Sequence, residues 1–166
     1  AYSISKFDSI HFQRIKQDKE YQFGYQRSLQ ILKSPWFATI QLSGLWFQDN
    51  AINVFNGLSV IGLSYHFHNA QLNTNFITDF YNQKSGFGSA INYMILDDLD
   101  LVVEGYSTTQ SNDSALSLGM VYHTFGHRFK FGIHNSTALS LRHLINGTST
   151  KDWGLGFQIH RLLELD

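Results

Sequence analysis

Eight histidines in 166 residues form the first chemical signal in this chain. His66, His123, His134 and His160 each fall on the polar side of an alternating segment, as do Asp79, Glu104 and Lys130. Imidazoles and carboxylates facing one enclosed space could bind a divalent cation, relay protons or act as acid and base. The same groups could instead form a hydrogen-bonded plug in which Glu104, Lys130 and His134 neutralise one another, and that is the expectation. No His-x-x-x-His or other close ligand spacing marks a preformed site, and His66 with His68 supplies only two ligands. No metal, cofactor or catalytic residue is therefore assigned.

The elements that would position these groups are strands, because alternation with a period of two dominates the chain. Over 36–47, Trp36, Ala38, Ile40, Leu42 and Trp46 oppose Thr39, Gln41 and Ser43. Over 58–68, Ile61, Leu63, Tyr65 and Phe67 oppose Gly62, Ser64, His66 and His68. Segments 71–81, 86–96, 115–125 and 128–136 repeat the pattern, and the last one sets Trp153, Leu155, Phe157 and Ile159 against Gly154, Gly156, Gln158 and His160. Three less regular strands are expected near 3–14, 20–32 and 99–109. The predicted count is ten, within a range of 8 to 12, in a single domain over 1–166.

The expected connections alternate in length. Lys33-Ser34-Pro35, Asn69-Ala70, Asp97-Asp98 and Gly126-His127 read as tight turns. Longer links are expected near 15–19, 48–56, 82–85, 110–114 and 137–152, the last able to hold a short helix with Leu139, Leu141 and Leu144 at the mouth. Short turns at one end and longer loops at the other are a feature of bacterial outer-membrane barrels. With ten strands both termini would lie on the periplasmic side.

Composition narrows the class. Charged residues are 15% and aromatic residues 15%, where ordinary soluble domains carry roughly 25% charge. No apolar run approaches the roughly 20 residues of a membrane helix. A net charge of −1 with no basic patch makes nucleic acid an unexpected partner. The absence of cysteine excludes disulfides and thiol catalysis. Ala1-Tyr2-Ser3 has neither the basic start nor the apolar core of a signal peptide, so export would make this the mature chain.

Alternation alone suits both a soluble and a membrane barrel. The polar face here is Ser, Thr, Asn, Gln, Gly and His, with few charges, which suits a confined lumen better than bulk water. Aromatic residues near strand ends, Trp36, Trp46, Phe67, Phe80, Phe87, Tyr122 and Trp153, suit girdles facing outer-membrane lipids. The expected fold is all-β, an antiparallel up-and-down transmembrane β-barrel. Ten strands enclose little space beyond their own side chains, so a filled or narrow lumen is expected.

The C-terminal pattern Trp153-x-Leu155-x-Phe157-x-Ile159 resembles the terminal signal of barrels inserted into the outer membrane. From about residue 86 onward the chain resembles an uncharacterised family of predicted outer-membrane β-barrel proteins common in Bacteroidota. The likeness rests on Gly126-His127-Arg128-Phe129, His134-Asn135-Ser136-Thr137, Asp152-Trp153-Gly154 and Gly156-Phe157-Gln158-Ile159-His160-Arg161. It implies the fold and the outer-membrane location and carries no activity. The expected role is structural, adhesive or assembly-related, with another envelope protein as partner. Two alternatives stay open. His134-x-Ser136 is similar to the His-x-Ser pair of outer-membrane lipid A deacylases, although no acid follows before Asp152. A soluble calycin-like barrel holding a small hydrophobic ligand is the other.

Overall fold

A computed structural model of the chain describes residues 2–3, 8–15, 19–49, 52–108, 114–136, 149–161 and 163–164. Ten long strands run up and down in sequence order: β2 (Asp8–Ile15), β3 (Glu20–Gln30), β4 (Trp36–Asp49), β5 (Ile52–Phe67), β6 (Ala70–Asp79), β7 (Lys84–Leu96), β8 (Leu99–Thr108), β9 (Ser114–Thr124), β10 (His127–Ser136) and β11 (Ser149–Arg161). Two-residue pieces, β1 (Tyr2–Ser3) and β12 (Leu163–Glu164), complete the sheet. The described residues contain no helix. Each long strand pairs antiparallel with the next, as short connections between consecutive strands require.

The sheet order runs β11-β10-β9-β8-β7-β6-β5-β4-β3-β2-β1-β12, so among the described residues no ladder joins β11 directly to β2. Instead β12 pairs parallel with β1, through Tyr2 with Leu163 and Ser3 with Glu164, and β1 pairs antiparallel with β2.

The long link expected at 48–56 is wrong. Strand β4 continues to Asp49 and β5 starts at Ile52, with Trp46 opposite Phe55 and Gln48 opposite Asn53. Asn53, Asn56 and Gly57 are residue types that favour turns, but cross-strand pairing overrides that preference. The result is a hairpin longer than its neighbours, with strands of 14 and 16 residues against 11 in β3 and 10 in β6. The link expected at 82–85 is displaced by two positions, because β6 ends at Asp79, β7 begins at Lys84 and the turn spans 80–83. The expected mouth segment with Leu139, Leu141 and Leu144, and most of the link at 110–114, lie outside the described residues.

The two faces of the sheet differ sharply. Trp36, Ile40, Leu63, Phe76 and Phe157 are exposed, while Gln22, Ser43, Asn56 and Asp79 on the other face are buried. The inner face is not uniformly polar. Leu45, Phe47, Leu58, Val60 and Ile77 form a buried apolar cluster, with Val54 and Tyr106 packed against it. Tyr106 belongs to β8 and the cluster to β4, β5 and β6, so the inner face is concave enough for separated strands to meet.

Close strand approach relies on glycine at one place in particular. Gly119 and Gly132 are directly paired between β9 and β10. A Cβ on Gly119 would stand 2.6 Å from the Phe131 carbonyl oxygen, and one on Gly132 would stand 2.6 Å from that of Leu118. On the outer face, the Phe55 and Phe80 rings cover the bare backbone of Gly44 and Gly57, a way of shielding strand glycines with aromatic side chains.

Candidate functional site

The inner face of β3–β6 has two zones stacked along the strands. Toward the β4–β5 hairpin tip sits the apolar cluster of Leu45, Phe47, Leu58, Val60 and Ile77. Toward the 31–35 and 68–69 turns it opens into a polar cleft of ≈ 410 Å³. Alternation places Phe37, Thr39 and Gln41 of β4 on this face, and pairing sets Ser64 of β5 opposite Asn73 of β6. Ser64 Oγ donates to Asn73 Oδ1 at 2.7 Å, and Gln71 Nε2 donates to the same oxygen at 2.8 Å. His66 stands at the rim, its ring 4.9 Å from that of Phe37 in an edge-on arrangement. None of the cleft residues is an Asp, Glu, Lys or Arg.

The seven polar residues singled out from the sequence do not converge. His66 lines the cleft. Asp79 is fully buried at the 80–83 turn, where its carboxylate accepts from Asn56 Nδ2 at 2.6 Å, Asn82 Nδ2 at 2.8 Å and the Tyr81 amide at 3.0 Å. Lys130 Nζ pairs with Glu104 Oε2 at 2.6 Å. His123 Nε2 meets Asp100 Oδ2 at 2.7 Å, a carboxylate the sequence reading did not use. His134 Nδ1 contacts the Ser136 carbonyl oxygen at 2.7 Å, so this contact does not run to the serine hydroxyl that a hydrolase would need to activate. Of the expected three-membered plug the Glu104–Lys130 pair forms, while His134, which lines the same small pocket as Lys130, has its 2.7 Å contact with the Ser136 carbonyl instead. His160 lies in β11, and its side chain is outside the described set. Among the described residues no three His, Asp or Glu side chains are placed to share a metal ion.

The seven aromatic residues assigned to girdles are all exposed. Trp36 and Phe67 flank the short-turn end, whereas Trp46 and Phe80 flank the opposite end. Several pair across strands: Trp36 lies 4.6 Å from Tyr65, and Trp46 lies 5.5 Å from Tyr21. Such cross-strand aromatic contacts each contribute roughly 0.2–1 kcal/mol.

One cluster was missed. His11 Nε2 lies 3.2 Å from Ser43 Oγ, 3.3 Å from Gln41 Nε2 and 3.4 Å from Gln22 Nε2. Gln22 is buried, and its Oε1 has no hydrogen-bond partner among the described residues. The β2 segment alternates too weakly to orient His11, and its partners come from β3 and β4. The only clue was an imidazole, two amides and a hydroxyl, all on strands expected to be neighbours.

This arrangement can hold neutral polar groups in the cleft, while Lys130 pairs with Glu104 and His123 with Asp100 elsewhere on the inner face. No protein-family model, curated protein or solved structure matches the chain.

Proposed function

We propose that the chain is a small integral β-barrel of the Gram-negative outer membrane, with a plugged lumen, that serves a structural, adhesive or assembly role beside another envelope protein. One observation carries this reading: the usual pattern of burial is inverted. Among the described residues, 36 large apolar or aromatic side chains are exposed and seven hydrophobic ones are buried. Burying a Val, Leu, Ile, Phe or Met side chain is worth about 1.5–3 kcal/mol each. A monomer in water would forgo that gain across nearly its whole outer surface, far beyond the few hundred Å² of apolar patch that soluble proteins tolerate. Acyl chains remove the penalty.

Three further features support the reading. The strands from β3 to β11 are 10 to 16 residues long, enough for the roughly 9–11 residues that a tilted strand needs to cross a bilayer. Lipid requires closure, because an open edge leaves backbone groups unpaired. Residue 163, paired through β12 to β1, follows the end of β11 by two positions, a reach of about 7 Å at most. The two ends of the sheet are therefore neighbours in space, which supports a closed tube with its seam at β1 and β12. The inner apolar cluster then blocks the tube, so bulk diffusion is not its task.

Refolding the chain into dodecylmaltoside micelles and lipid vesicles tests the proposal. A compact unheated gel band that shifts on boiling is expected, together with protease protection in vesicles. A folded monomer, stable and soluble in plain buffer, overturns it.

A further inference from the structure

We propose that the polar cleft on the inner face of β3–β6 is a binding site for a neutral saccharide of one or two rings. This inference goes beyond the membrane proposal and does not need it, since the cleft belongs to the sheet's inner face in either setting.

Size and chemistry agree. The cleft has a volume of ≈ 410 Å³, within the range of about 300–1,000 Å³ that holds small ligands. Eight of its 11 lining residues carry a side-chain amide or hydroxyl, and none is Asp, Glu, Lys or Arg. A phosphate, carboxylate or ammonium ligand would lose its hydration with no opposite charge to meet it. A polyhydroxylated neutral ring would find a donor or acceptor for most of its hydroxyls, since each amide offers both.

The groups are also preorganised. Asn73 Oδ1 already accepts from Ser64 and from Gln71, which fixes the amide and leaves the Asn73 Nδ2 hydrogens for a ligand. At the floor, Asn75 lies over Gly62, where a Cβ would meet Asn75 Oδ1 at 2.4 Å. The missing side chain at Gly62 thus makes the room that Asn75 occupies. At the rim, the edge-on Phe37 and His66 rings offer an aromatic surface for the C–H face of a sugar, alongside the polar groups that fix orientation. Beyond the floor lies the apolar cluster of Leu45, Leu58 and Ile77, which offers a polyhydroxylated ring no further partners.

The test titrates the folded full-length chain with maltose and N,N′-diacetylchitobiose, following side-chain amide signals by NMR, with gel shift as the folding control. Saturable binding of at least one sugar is expected, with shifts at Gln71, Asn73 and Asn75. Asn73→Leu should weaken it at least tenfold. His66→Ala, at the exposed rim and clear of the internal hydrogen bonds, should weaken it several-fold and serves if Asn73→Leu fails to fold. No saturable binding by folded protein overturns the proposal. So does binding that both variants leave unchanged, or equal binding of an uncharged capped dipeptide.

Discussion

Lys130 on β10 reaches across β9 to Glu104 on β8, Nζ to Oε2 at 2.6 Å. Register explains how. Lys130 is opposite Val121 and Glu104 is opposite Ser117, so the inward position of β9 between those two is Gly119. With no side chain there, the lysine stem crosses unhindered. The two side chains are 18 and 19% exposed, so each charge is largely removed from solvent and depends on the other. Lys130→Met should cost about 1–3 kcal/mol by leaving Glu104 unpaired. The double variant Lys130→Met with Glu104→Leu should recover most of it, because removing both partners of a buried pair is often neutral. Urea midpoints of the refolded variants measure the difference.

The same strand crossing makes Gly119 and Gly132 sensitive to substitution. Alanine at either places a methyl 2.6 Å from a backbone oxygen that cannot rotate away. Gly119→Ala and Gly132→Ala should each lose about 1–3 kcal/mol through forced backbone shifts. Gly105→Ala is the control: its nearest contact is the flexible Leu116 Cδ2 at 3.4 Å, and its unfolding midpoint should stay near that of the parent chain.

Asp79 organises the 80–83 turn. Its Oδ1 accepts from the Tyr81 amide at 3.0 Å and the Asn82 amide at 3.2 Å, as well as from Asn56 Nδ2. Asp79→Ala strands Asn56 Nδ2 and the Asn82 amide, at about 1–3 kcal/mol for each group left buried and unpaired, while the Tyr81 amide keeps its bond to Asn56 Oδ1 at 2.8 Å. Hydrogen exchange at Asn82 should accelerate by tenfold or more while exchange in β9 and β10 stays slow. Equal acceleration everywhere would mean global unfolding and would remove the local role assigned to this carboxylate.

The outward set was legible because Trp36, Ile40, Leu63, Phe76 and Phe157 each sit in clean alternation, and a period of two fixes which side chains share a face. Leu45 and Phe47 were not, because Gly44-Leu45-Trp46-Phe47 is apolar on both faces and alternation has no contrast there. The β4–β5 hairpin was hidden by its asparagines, whose turn preference is local while the Trp46–Phe55 pairing is not. Site geometry was the least legible part. His123 meets Asp100 and Lys130 meets Glu104 through diagonal cross-strand relations, which depend on register, and a one-residue slip would break every such pair.

The sharpest test of the outer face uses Ile40 and Ile61, which are directly paired between β4 and β5. They are 54 and 60% exposed, in mid-strand, beside Phe76 and with no polar neighbour required for their packing. In water, an arginine at such an exposed position changes stability by no more than about 0.5 kcal/mol. Against acyl chains the same arginine costs about 2–4 kcal/mol near the midplane and falls to about 0–1 near the interface. Ile40→Arg and Ile61→Arg should therefore each lower folding stability in lipid vesicles by about 2–4 kcal/mol. Asn53→Arg, at the exposed hairpin tip, should change it by less than about 1 kcal/mol. The depth dependence separates the two environments, because water has no gradient along the strand. Equal and small effects at all three positions would show that the apolar face does not meet lipid.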